Sequence, residues 1–386
     1  MPLRGATILQ VIPHLAAGGA ERTTVEVAEA LVAAGATALV VSAGGRLENE
    51  LNRVGGELIR LETTPTKNPL EIHANAGRIA KLVTARKVSL IHARSRAPAW
   101  SALWAARRTR IPFVTTYHGV YTAKGALKRL YNSVMARGDT VIANSDYTAR
   151  HVLAEHPWAA NRIVTIPRGV DIARFSPDAI SAARRDALAA AWKLGPGTDP
   201  VILLPGRLTG WKGHREAIAA AVVLNSGGLA SWRMVFAGDP QGRDGYVEEL
   251  KQLIASNGLD GRVSMVGHCD DMPAAFALSD IVIAPSNEPE AFGRVAAEAG
   301  AMGLPAVGSS IGAQGEIIVD GETGLIVPPS SPAALSTAMA SLLAMGPDGR
   351  KIMGQKARTR VLERFTTSAL QKATLAVYEG LTGQSR

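Results

Sequence analysis

Short β-branched runs alternate with alanine-rich, helix-patterned stretches along this 386-residue chain, and that alternation restricts the fold more than any other feature. In the first half the strand-like runs fall at 7–12, 38–42, 90–93, 113–116, 140–143 and 163–166. Helical patterns at 21–34, 74–86, 97–108 and 128–136 lie between them. The second half repeats the style at 201–204, 233–237, 263–266, 281–284, 306–307 and 324–327. Strands and helices in strict turn predict parallel sheets covered on both faces. About six strands in each half favour two doubly wound domains over one barrel. The break falls at 171–200: the run 175–178 ends the first set, a polar helix at 179–193 follows, and a Gly/Pro-rich loop at 194–200 enters a new first strand. The expected domains are 1–180 and 181–367.

Composition narrows the class. With 47% hydrophobic and 19% charged residues the chain is an ordinary globular one. Its single cysteine, Cys269, excludes an internal disulfide and a cysteine-based zinc site, and fits a reducing cytosol. No secretory leader and no run near the roughly 20 apolar residues of a membrane span is expected, so a cytoplasmic location is. The net charge of +9 is uneven: residues 1–180 hold 23 Lys+Arg against 13 Asp+Glu, and residues 181–386 hold 19 against 20. Between Arg78 and Arg137 there are 13 basic residues and no acidic one. Such a face suits an anionic partner: a phospholipid surface, nucleic acid or a phosphorylated acceptor. No aromatic-interleaved basic motif accompanies it, so nucleic acid is the least favoured of these.

Four segments at strand ends carry candidate chemistry, since ligands of open α/β sheets bind beyond the carboxyl ends of strands. Gly18-Gly19 opens a helix and allows close backbone approach, although no G-x-G-x-x-G fingerprint is present. His118 follows a strand directly and stands beside Gly119. Arg207 and Lys212 sit in a glycine-rich loop, a fork and a point charge suited to a diphosphate whose bond is breaking. Glu290 and Glu298 straddle a helix start, Glu298 about two turns in at roughly 1.5 Å per residue. Taken alone, that pair reads equally as two contacts to hydroxyl-rich parts of one phosphorylated ligand or as plain helix electrostatics. The N–H groups near Phe292, Gly293 and Arg294 add positive potential. No dedicated metal cluster stands out, and none is required by this chemistry.

In this order the four segments resemble the GT-B glycosyltransferases of family 4, retaining enzymes that use nucleotide sugars. The resemblance covers almost the whole chain and includes the approach Ser286 to Gly293 and the run Gly300 to Pro305. It implies two Rossmann-like domains facing across a cleft, with a final segment, 368–386, returning as a helix to the first domain. It implies that Gly18 and Gly19 line the donor phosphate and sugar, and that His118 lies near the anomeric centre. Arg207 and Lys212 would hold the diphosphate, Glu290 the sugar hydroxyls with the Phe292-Gly293-Arg294 backbone, and Glu298 the ribose. No cofactor is implied; the nucleotide sugar is a co-substrate. The family shows no settled nucleophile, so Glu290 is not given that role.

The segments 92–100, 115–121 and 131–139 look like lipopolysaccharide core mannosyltransferases of alphaproteobacteria. This likeness implies GDP-mannose as donor and an anionic, lipid-linked acceptor at the inner face of the inner membrane. Arg94, Arg96, Lys124, Lys128 and Arg129 would then meet acceptor or headgroup anions. UDP-glucose or another donor, and a sugar-nucleotide epimerase of the same fold, remain the alternatives.

Overall fold

A computed structural model describes residues 3–16, 18–122, 124–194, 199–228 and 231–383. Residues 195–198 of the expected linker loop and 384–386 of the final segment lie outside them. The chain divides into two units, Met1–Arg168 with Thr367–Arg386, and Gly169–Thr366. The division falls earlier than residue 180 because Val170 and Phe175 are buried in the second unit's core, beside Phe276 and Phe365.

The first unit holds seven parallel strands: β1 Thr7–Val11, β2 Thr37–Ser42, β3 Glu57–Arg60, β4 Val88–Ala93, β5 Phe113–Tyr117, β6 Thr140–Ala143 and β7 Ile163–Thr165. Their order is β3-β2-β1-β4-β5-β6-β7. Successive side chains of a strand face opposite ways, and the core divides accordingly. Leu9, Val11, Leu39 and Val41 pack on one face with Ile79 and Leu103. Ile8, Ala38 and Val40 pack on the other with Val25, Leu31, Leu370 and Tyr378. The last two belong to the C-terminal helix Thr367–Thr382, whose Gln371 Nε2 donates to the Glu26 carbonyl at 2.7 Å. Strand β3 was not expected from the sequence. Only Leu58 and Ile59 are apolar in it, and its charged ends suit an exposed sheet edge.

The second unit has six parallel strands: β8 Val201–Pro205, β9 Arg233–Ala237, β10 Val263–Gly267, β11 Ile281–Ala284, β12 Ala306–Ser309 and β13 Gly324–Val327. They run β10-β9-β8-β11-β12-β13. One face packs Ile202, Leu204 and Phe236 against helices His214–Ser226 and Pro332–Ala344. The other packs Leu203, Val235 and Val282 against Arg294–Ala301 and Gly346–Arg364. In each sheet the order reverses at one place, between β1 and β4 and between β8 and β11. Loops leaving neighbouring strands in opposite directions there open a crevice for a ligand.

Candidate active site

In the first unit the crevice is bounded by the loops after β1, β4 and β5. Gly18 caps helix Gly19–Ala33, and neither glycine is required by backbone angle; the mobile ends of two side chains stand over them. A Cβ on Gly18 would meet Glu21 Oε2 at 2.3 Å, and one on Gly19 would meet Arg168 Nη1 at 2.1 Å. The Arg168 Nη2 group donates to His118 Nδ1 at 3.2 Å and to the His118 carbonyl at 3.3 Å. Arg168 thus joins two segments singled out in the sequence. It was missed there although it stands between Pro167 and Gly169, just past β7, a strand end like the others. Burial, and then the Arg168 and Arg94 charges, hold the His118 imidazole well below its usual range.

The expected acceptor face needs correction at its first member. Arg94 is 2% exposed and lies inside the unit. Its Nε and Nη2 donate to Gln10 Oε1 at 2.9 and 2.6 Å, and Gln10 passes the contact to the Thr24 carbonyl. Beside it His92 Nδ1 meets Tyr378 Oη at 2.5 Å and Nε2 meets Thr116 Oγ1 at 2.7 Å. Alternation along β4 carries His92 and Arg94 inward together, against the C-terminal helix. Arg96 is half-buried, donating to Asn132 Oδ1 at 2.9 Å with its guanidinium 4.1 Å from the Tyr121 ring centre. Only Lys124, Lys128 and Arg129 are exposed. They stand on or beside helix Ala126–Asn132, which also displays Leu127 at 85% and Leu130 at 54% exposure. Near that helix Tyr117, Arg129, Asn132, His151 and Glu155 line a small polar pocket. Two buried atoms of its lining, Tyr117 Oη and Asn132 Nδ2, have no hydrogen-bond partner among the described residues.

In the second unit the loops after β8 and β11 are locked together. Gly213 has φ +79°, and any Cβ there would sit 2.0 Å from the Pro285 carbonyl oxygen. Only glycine allows both that angle and that approach. Asn287 N donates to the Trp211 carbonyl at 2.8 Å across the same seam. Lys212 Nζ, 4.3 Å from the Trp211 ring centre, then reaches Glu290 Oε1 at 2.5 Å. Ser286 Oγ donates to the same oxygen at 2.8 Å. The Glu290 carbonyl accepts from Ala313 N at 2.8 Å, which fixes its backbone too. Arg207 is exposed beside this cluster in sequence, on the loop that leaves β8.

Glu298 is not a solvated helix residue. Its side chain is 13% exposed, and its carboxylate accepts from Arg294 Nε at 2.8 Å. Phe292 is buried, edge-on to Phe365 with ring centres 5.9 Å apart, so its backbone and not its ring is left for a ligand. Gly293 caps helix Arg294–Ala301 at φ +87°. Two carboxylates and a helix N-terminus therefore lie on the loop and first turns after β11, and Lys212 reaches Glu290 from the β8 loop. Cations and N–H groups suit a diphosphate, and carboxylates suit sugar hydroxyls.

Comparison with known proteins identifies the family. Residues 17–174 match the profile of Glycosyltransferase Family 4, and residues 189–360 match that of Glycosyl transferases group 1. A solved glycosyltransferase from Rickettsia africae is 34% identical, with a TM-score of 0.92 over 99% of this chain and 100% of that one. The chain belongs to glycosyltransferase family 4.

A D-inositol 3-phosphate glycosyltransferase of Acidothermus cellulolyticus is 29% identical over 73% of this chain. The match spans 65% of that relative's own length, and 53% of a second relative of the same name from Salinispora tropica. The Anabaena protein HepE, solved with UDP and glucose, shares the two-sheet fold at 24% identity and a TM-score of 0.80, over 97% of this chain and 99% of its own.

Proposed function

We propose that this family 4 enzyme moves a hexose, mannose from GDP-mannose by preference, onto a lipid-linked lipopolysaccharide core acceptor with retention of configuration and without a metal ion. The observation that carries the reading is the Lys212–Glu290–Ser286 cluster at the sheet's reversal point. Donor sugar hydroxyls would bond Glu290, and the ribose would bond Glu298. Lys212 and Arg207 would take up charge as the bond from the anomeric carbon to the diphosphate oxygen breaks. The acceptor oxygen would attack from the same face, and its proton would pass to the departing phosphate oxygen.

The acceptor half of the reading rests on the exposed, basic and apolar helix Ala126–Asn132 and the polar pocket near it. Among the described residues no helix is long and apolar enough to cross a membrane. Peripheral binding at the cytoplasmic face would therefore use Lys124, Lys128, Arg129, Leu127 and Leu130. Two findings about relatives favour a second version. HepE is solved with UDP, and the curated relatives are named for an inositol phosphate, so a UDP-sugar donor or a soluble phosphorylated acceptor is the rival.

Incubation with GDP-mannose or UDP-glucose, with a core lipid acceptor, with a soluble inositol phosphate or with neither, tests both. Nucleotide release that needs the lipid acceptor, an α-linked product and full activity in excess EDTA are expected. Release with no acceptor of either kind, or loss of activity on chelation, would contradict the proposal.

A further inference from the structure

His118 has a hydrogen-bonding arrangement that fixes where its proton can be. A guanidinium only donates, and it keeps its protons at any pH compatible with the fold. With Arg168 Nη2 at 3.2 Å, Nδ1 must therefore be the accepting nitrogen. The proton of the neutral ring then sits on Nε2. That atom is buried and has no partner among the described residues. Unsatisfied buried polar atoms are few in native proteins, and each calls for a cause such as strain, a water or a ligand contact.

We propose that Arg168 is a positioning residue that locks His118 as the neutral Nε2–H tautomer, so that the ring offers a fixed donor to a substrate oxygen and never acts as a general base. This rests on the reading of His118 as substrate-facing given above. Both nitrogens are then committed, Nδ1 to Arg168 and Nε2 to its own proton. A second proton would set an N–H against the guanidinium and add charge near Arg94. The other titratable groups about His118 are His92, itself buried and held well below its usual range, and Tyr121, whose hydroxyl meets the His118 backbone. With no free base at His118, this ring does not take the acceptor proton, in keeping with the proposed same-face substitution that passes it to the phosphate.

Gly19 is part of the lock. A methyl group there would overlap Arg168 Nη1, the mobile end of a long side chain, so Gly19→Ala should fold while pushing the guanidinium off His118.

Long-range nitrogen–proton correlation on histidine-labelled protein reads the tautomer without any substrate, with His118→Gln assigning the signal. Wild type should show the Nε2–H pattern unchanged from about pH 5.5 to about 8.5. Arg168→Met and Gly19→Ala should show mixed tautomers or a titrating ring, and Arg168→Lys should stay closer to wild type. An Nδ1–H or titrating ring in the wild type overturns the assignment, as does a wild-type spectrum in Arg168→Met. In transfer assays Arg168→Met should lower kcat on the order of 10- to 100-fold with a smaller change in donor KM. Arg168→Lys should recover part of that loss. Wild-type kcat in Arg168→Met would end the positioning role. Wild-type turnover in His118→Gln would instead remove the site reading while leaving the measured tautomer intact.

Discussion

At the scale of single residues the proposed donor site turns on Glu290, whose carboxylate is held by Lys212 and Ser286. Glu290→Gln keeps the shape and one acceptor oxygen but loses the charge. Turnover should fall at least on the order of 100-fold, and the urea midpoint should fall without loss of the fold, because Gln leaves a largely buried Lys212 without its counter-charge. Turnover close to wild type would remove Glu290 from the site. His214 offers a prediction about stability. It opens the helix after Gly213, with its ring edge-on to Phe236 and Tyr246 at 5.2 and 6.1 Å. Burial pushes its imidazole down to about 4 from an ordinary 6.5. Below 6.5 the unfolded chain takes up a proton that the folded chain refuses until about 4, so stability falls with pH across that window. The loss approaches about 3 kcal/mol at the acid end. Urea titrations at stepped pH should show this slope in the wild type and a shallower one in His214→Phe; equal slopes would show that the ring is protonated in the fold.

At the scale of elements, the helix Ala126–Asn132 shows how a charge run divides on folding. The acid-free segment suggested one continuous basic face, yet Arg94 and Arg96 turn inward while Lys124, Lys128 and Arg129 stay outside. Basic composition is visible in a sequence, but the direction of each side chain depends on which strand or helix face carries it. The exposed part should still matter for the proposed acceptor. Lys124→Glu with Lys128→Glu should weaken co-sedimentation with anionic vesicles by roughly 1 kcal/mol per charge removed, with donor KM little changed. Unaltered sedimentation would place the acceptor surface elsewhere. The loops after β8 and β11 behave as one element for a different reason: Gly213 lets two backbones meet where any side chain would part them.

At the scale of the whole molecule, the C-terminal helix Thr367–Thr382 belongs to the first unit although the chain reaches it from the second. Its Leu370 and Tyr378 complete the core over β1, β2 and β4, and Tyr378 satisfies His92. Deleting residues 367–386 should expose that face and strand a buried imidazole, costing several kcal/mol, of order 3–5, in unfolding free energy. A shortened protein with an unchanged urea midpoint would deny the helix that role. Donor choice also shows at this scale, since a ligand that binds only the native state raises apparent stability, by about 2.7 kcal/mol at a hundredfold excess over Kd. GDP-mannose should raise Tm more than UDP or ADP sugars do; a larger rise with a UDP sugar would favour the rival donor. The alternation of apolar runs and alanine-rich helices determined two parallel-sheet units, and the strand-end motifs determined where Gly18, His118, Lys212 and Glu290 would stand. Both are local signals, set by periodicity and by glycine and charge at fixed spacing. The edge strand β3, the burial of Arg94, the Arg168–His118 contact and the Lys212–Glu290 pair were decided only by tertiary structure. Each depends on which residues far apart in the chain meet across strand ends, and no spacing along the sequence records that.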